Sequence, residues 1–150
     1  MQINTKGLAL IKEFESCKLR AYQDSVGVWT IGWGITQYEN GVEVKQGDQI
    51  TLARANELLA WEVNLKSDGV STLTNNQKLT SNQFSALVSF AYNVGLGNLK
   101  SSTLLKKVRI NPNDPSIPAE FLRWNKAKGK VLAGLTRRRQ AEANLYKSYN

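Results

Sequence analysis

One hundred and fifty residues, 41% hydrophobic and 21% charged, are enough for one globular domain with a real core and leave little room for a second. With no histidine and one cysteine, the chain excludes His/Cys zinc sites, Ser-His-Asp and Cys-His catalysis and an internal disulfide, so acid–base chemistry falls mainly to carboxylates. The net charge of +8 sits in the last third: residues 1–100 carry nine basic and nine acidic side chains, residues 101–150 eleven and three, which points to a polyanionic partner such as nucleic acid, an anionic membrane surface or a cell-wall polymer.

In chain order, a first helix is expected from about Thr5 to Ser16, with Leu8, Leu10, Ile11 and Phe14 on its apolar side. Glu15 falls between Leu8 and Ile11 on that wheel, whereas Glu13 lies on the polar side near Lys6. Tyr22 to Thr36, rich in Val, Trp, Thr, Ile and Gly, reads as short strands with tight turns, and Asn40-Gly41 between Tyr38 and Val42 as a two-residue hairpin turn. From Thr51, placed as an N-cap, Leu52, Ala55, Leu58, Leu59 and Val63 recur at helical spacing. Thr80-Ser81-Asn82-Gln83 fits a capping box opening a helix whose stripe is Phe84, Leu87, Val88, Ala91 and Val94, ended by Gly95 or Gly97. Shorter helices are expected over Ser102–Val108, Pro118–Trp124 and Leu135–Tyr146, with the three prolines in a loop between them or at its edge. The fold class is α+β: a small antiparallel sheet near the start, then a larger helical lobe, within a single domain.

The chemistry concentrates between Glu15 and Gly34. A Glu on the apolar flank of a helix is partly desolvated, which keeps a proton available, while Asp24 among small turn residues stays ionised. Two carboxyl groups separated in this way suit glycosidic cleavage, one protonating the leaving oxygen and the other orienting water or supporting positive charge on the sugar. Such a pairing is a general pattern of chemistry and by itself identifies no enzyme. A plainer reading of the same residues exists: Glu15 paired with a nearby Lys or Arg, Asp24 capping its own turn, and Gly27, Trp29, Gly32, Trp33 and Gly34 as turns and core.

The segment from Phe14 to Gly34 resembles the signature of the phage-type lysozymes, the endolysin muramidases of glycoside hydrolase family 24: Glu15, eight residues, Asp24, five residues, Thr30, with Thr30 inside Thr30-Ile31-Gly32-Trp33-Gly34. The similarity continues through Gln83–Gly95, Ser102–Leu105, Arg123-Trp124 and Gly134–Glu142, and so covers essentially the whole chain. The resemblance implies a lysozyme-like fold with a cleft between the two lobes, and hydrolysis of the β-1,4 bond between N-acetylmuramic acid and N-acetylglucosamine without a cofactor. Glu15 would be the general acid, Asp24 the group that positions water or stabilises the oxocarbenium-like transition state, and Thr30 the hydroxyl that holds the water. Tyr22, Trp33 and Asn93 are candidate substrate contacts, each equally able to be packing or capping. Family members commonly carry His where this chain has Ile35, so no imidazole role is transferred; Cys17 is expected to be a small buried filler.

The tail charges, Arg137, Arg138 and Arg139 among them, are expected to form a patch toward anionic wall or outer-membrane polymers, although three consecutive Arg cannot share one helix face and some could pair with Glu120 or Glu142. Leu8–Ile11 is too short an apolar run for a signal-peptide core. The expectation is therefore a monomer held in the host cytoplasm until a holin releases it to the wall in the periplasm. A catalytically weak peptidoglycan binder and a basic nucleic-acid binder are the alternatives. Against the second, the chain has no zinc-finger, RNA-recognition or clear helix-turn-helix signature, and no nucleic-acid partner is expected.

Overall fold

The computed structural model describes residues 1–149. Its first helix, α1 (Thr5–Glu15), is opened by Asn4, whose Oδ1 accepts from Gly7 N at 2.9 Å. It ends one residue earlier than expected, because Ser16 adopts φ 56° and leaves helical conformation. Two antiparallel strands follow, β1 (Lys18–Gln23) and β2 (Trp29–Gly32), with a register irregularity between Lys18 and Tyr22. The sheet therefore begins before Tyr22, where the β-rich composition starts. Asn40-Gly41 does turn the chain, but within a three-residue loop. Tyr38 N donates to Val42 O, Gly41 N donates to Tyr38 O, and Gly41 at φ 85° takes the left-handed position after the turn.

The helices follow their caps. In α2 (Leu52–Leu73), Thr51 accepts from Arg54 N; in α3 (Ser81–Val94), both halves of the Thr80–Gln83 capping box are formed, and Gly95 at φ 93° ends the helix. Then come α4 (Leu96–Ser101), which has no counterpart in the sequence reading, α5 (Thr103–Ile110), α6 (Ile117–Phe121), a two-residue-per-strand hairpin of β3 (Lys126–Ala127) and β4 (Lys130–Val131), and α7 (Ala133–Lys147).

The amphipathic stripe on α3 understates its burial. Every residue from Asn82 to Tyr92 is buried, so α3 is the central helix and touches α1, α2 and α7. Its serines make that possible. A Cβ on Gly7 of α1 would lie 2.6 Å from the Ser85 Cβ, so a glycine and a small residue allow close approach of these helices. Phe84, Leu87, Phe90, Leu104 and Phe121 form the main core, with Phe90 edge-on to both Phe121 and Trp124. A second apolar cluster, Ile31, Ile35, Val44 and Leu58, packs the sheet region onto α2. Between these cores, Ile11, Leu59, Val63 and Tyr92 tie α1, α2 and α3 together and fix the end of α1 beside the sheet.

Candidate active site

A cleft of about 630 Å³ runs between the sheet region and the helices, and Glu15, Asp24 and Thr30 all line it. The signature residues thus reach one cavity from three different elements: the last residue of α1, the turn after β1, and β2.

Glu15 is mostly buried, its side chain 16% exposed, yet its setting is polar rather than the apolar flank the helical wheel suggested. Arg138 Nη1 donates to Glu15 Oε2 at 2.5 Å. On the other side, a Cβ on Gly34 would lie 2.7 Å from Glu15 Cδ, so the carboxyl group rests directly on bare backbone. A side chain at this position would push the carboxyl group aside, and φ 79° at Gly34 favours glycine for a second reason.

Asp24 caps its own turn, one of the two readings the sequence left open. Its Oδ1 accepts from Val26 N at 3.0 Å and Val28 N at 2.8 Å, closing its own turn. Its Oδ2 has no hydrogen-bond partner among the described residues and is left for the cleft. Thr30 is buried, and its Oγ1 donates to Val28 O at 2.9 Å. With its hydrogen committed, this hydroxyl can only accept on its remaining side.

Among the candidate substrate contacts, Tyr22 and Asn93 line the cleft, and Trp33 does not. Trp33 Nε1 donates to Asn56 Oδ1 at 3.0 Å, its ring lies under Lys12 Nζ, and its carbonyl accepts from Tyr92 OH at 2.6 Å. The indole is a strut between the end of β2, α1 and α2, which is the packing reading of Trp33. Burial, and then the negative charges of Glu15 and Asp24, raise the Tyr22 pKa, so its phenol stays neutral and able to donate. Tyr92 is raised further, by burial first. Ile35 sits at 2% exposure in the apolar cluster with Ile31 and Leu58, an environment in which an imidazole would be desolvated. Cys17 is half-buried beside the sheet rather than a core filler, and burial pushes its thiol pKa up.

The three-arginine patch is also corrected. Arg137 is exposed, but Arg138 and Arg139 are buried at 3% and 0%. Both face Glu142, itself 0% exposed, as the pairing alternative foresaw. They cannot touch a polymer outside the protein. Arg138, Gly34 and Tyr92 lie against Glu15 or line the cleft, a placement the sequence reading did not give them. For Arg138 there was a signal: three adjacent arginines on a helix otherwise carrying core residues cannot all reach water.

The chain as a whole is similar to known proteins. The sequence profile described as phage lysozyme matches residues 12–142. The endolysin of Acyrthosiphon pisum secondary endosymbiont phage 1 is 41% identical and aligns over 99% of this chain and 99% of its own. That of Bacillus phage B103 is 43% identical over 97% of this chain, which spans 54% of that longer protein. Among solved structures, the endolysin from Escherichia coli O157:H7 phage FAHEc1 superposes with a TM-score of 0.85 at 37% identity, covering 97% of this chain and 93% of that one. The chain therefore belongs to the phage lysozyme family and is a glycoside hydrolase of the muramidase type, a peptidoglycan-hydrolysing endolysin.

Proposed function

We propose that the protein cleaves the β-1,4 bond between N-acetylmuramic acid and N-acetylglucosamine in a single displacement, with Glu15 as general acid. The observation that carries this reading is the sharing of one cleft by Glu15, an Asp24 oxygen left uncommitted, and a Thr30 hydroxyl able only to accept. A water between Asp24 and Thr30 gives one hydrogen to each and turns a lone pair toward the anomeric carbon. As the glycosidic C–O bond breaks, Glu15 gives its proton to the leaving oxygen, the water oxygen bonds to the anomeric carbon, and Asp24 supports the positive charge on the ring and takes the water's proton. Attack from the face opposite the leaving group inverts the configuration. Tyr22 and Asn93 supply a phenol and an amide toward sugar substituents.

Clearing of outer-membrane-permeabilised Gram-negative cells by the parent chain and by Glu15→Gln tests the acid, and equal clearing overturns it. Proton NMR of the first product made from a soluble muropeptide tests the displacement: the α anomer is expected, and an initial β anomer overturns inversion. If neither chain clears cells while both bind isolated sacculi, the weak wall-binding reading replaces catalysis.

Attachment to anionic outer-membrane or wall polymers falls to the exposed charges that remain, among them Lys106, Arg109, Lys126, Lys128, Lys130 and Arg137. Neutralising Lys126, Lys128, Lys130 and Arg137 together lowers retention on intact cells more than hydrolysis of soluble fragments; equal losses overturn this role. None of the described helices is long and apolar enough to cross a membrane. Release to the wall in the periplasm by a separate holin belongs to the same proposal, and it is tested by whether lysis on expression depends on co-expressing one.

A further inference from the structure

Behind the general acid lies a buried charge cluster that the proposed chemistry does not use. Glu142 on α7 is 0% exposed. Its Oε2 accepts from Ser89 Oγ of α3 at 2.6 Å, from Arg139 Nη2 at 3.1 Å and from Arg138 Nε at 3.3 Å. Its Oε1 lies 2.7 Å from Arg139 Nε as an ion pair without hydrogen-bond alignment, and the Arg139 guanidinium lies over the Phe90 ring. Arg138 is consequently fixed on three sides: Nε to Glu142, Nη2 to the Ser89 carbonyl at 3.2 Å, and Nη1 to Glu15. Glu15, Arg138, Glu142 and Arg139 form one chain of alternating charge that runs from the cleft into the core.

This arrangement answers a chemical difficulty. A lone guanidinium against a carboxyl group favours the ionised form, whereas a general acid must begin with its proton. Arg138 is not alone: its charge is shared with a second carboxylate on its far side. We propose that Glu142 is a positioning residue for Glu15, holding the Arg138 guanidinium from behind and offsetting its charge so that Glu15 can carry a proton while still being oriented by Nη1. The inference rests on Glu15 as the general acid.

Other groups face Glu15 and stay constant in the comparison. Tyr22 on β1 and Asp24 after it lie on the sheet side, Tyr92 on α3, and Arg139 behind Arg138 on α7. Glu62 and Lys66 on α2 line the same cleft, and Glu13 on α1 and Arg137 on α7 line the groove that adjoins Glu15. Replacing Glu142 by Gln leaves all of these groups in place, removes the Glu142 charge and keeps the side chain's shape.

The test is the pH dependence of kcat and KM on a soluble muropeptide for the parent chain, Glu142→Gln and Glu142→Asp, with Glu15→Gln as control. With the offsetting charge gone, two uncompensated guanidinium charges act on Glu15. In Glu142→Gln the alkaline limb, where the acid loses its proton, moves to lower pH by about half a unit or more. In the same variant kcat at neutral pH falls about threefold or more, with KM within about twofold. Glu142→Asp keeps the charge one methylene back, so its limb moves the same way by less. If both variants are less heat-stable but keep the parent limb, Glu142 is only structural and the proposal is overturned. If Glu142→Gln does not fold, Glu142→Asp decides alone, and an unmoved limb overturns it. An active Glu15→Gln instead removes the acid assignment, and carbon-13 NMR titration of the Glu15 carboxyl in the folded Glu142 variants then still reads the coupling without activity.

Discussion

The Arg138 guanidinium donates to the Glu15 carboxyl group across 123 residues of sequence, at 2.5 Å. It joins Glu15, the proposed general acid at the end of α1, to the buried charges of α7. Arg138→Ala leaves Glu142 with a single cationic partner in a site closed to water. Breaking a buried pair in this way costs on the order of 3 kcal/mol, and urea denaturation should show it. Arg138→Lys recovers little of the loss, because one ammonium cannot reproduce the planar fork that serves Glu15, Glu142 and the Ser89 carbonyl at once.

Gly34 and Gly27 separate crowding from backbone strain. Both have positive φ, 79° and 87°, but a Cβ at Gly34 meets the Glu15 carboxyl group, while one at Gly27 meets nothing within 4 Å. Each alanine variant is expected to lose about 1 kcal/mol of stability from strain. Only Gly34→Ala should also lose activity, by about a hundredfold in kcat, since a displaced acid no longer reaches the leaving oxygen. Equal kcat values for the two variants would show that Gly34 does not position Glu15.

Ser16 stands directly after Glu15 at φ 56° and ψ 162°, a region that residues with a side chain rarely occupy. Such strain costs about 1–3 kcal/mol, more than the roughly 0.5–1 kcal/mol that glycine adds through unfolded-chain entropy. Ser16→Gly should therefore stabilise the protein by about 1 kcal/mol, seen as a rise in Tm. A lower Tm would mean that the Ser16 side chain contributes something beyond its backbone shape.

Glu120 gives a pH signature in the helical lobe. A hydrogen bond from Lys107 Nζ at 3.0 Å, and then one from Arg123, hold its pKa below the ordinary 4.5 against the opposing effect of burial. A depressed folded-state value means that this stabilisation is complete above about pH 4.5 and is lost as pH falls through the folded-state pKa. Glu120→Gln should lower Tm at pH 6 and flatten its fall in acid. A parallel fall in both chains would remove Glu120 from the acid sensitivity.

Elements whose signals are local were legible. Thr51 and Thr80 open helices where their neighbours place them, and Gly95 closes one. The Glu15–Asp24–Thr30 spacing located the cleft because those residues lie on consecutive elements joined by short turns. The residues left open or misjudged are those whose environment is made by distant segments. The indole of Trp33 is used by Asn56 and Lys12, and Glu15 faces Arg138 instead of apolar neighbours. The apolar stripe of α3 also hid its full burial, since Ser85 and Ser89 look polar in sequence but are packed and hydrogen-bonded inside.

The sequence alone determined that no histidine is available for the chemistry, that Glu15, Asp24 and Thr30 lie in one short segment, and that the charge excess is in the last third. Tertiary structure decided what that charge does. It divided three adjacent arginines between solvent and core, turning two of them inward onto Glu142 and one of those onto Glu15. The physical reason is that net charge adds along a chain without regard to position, whereas the effect of a charge depends on its burial and on the partner within a few ångströms, which only folding supplies.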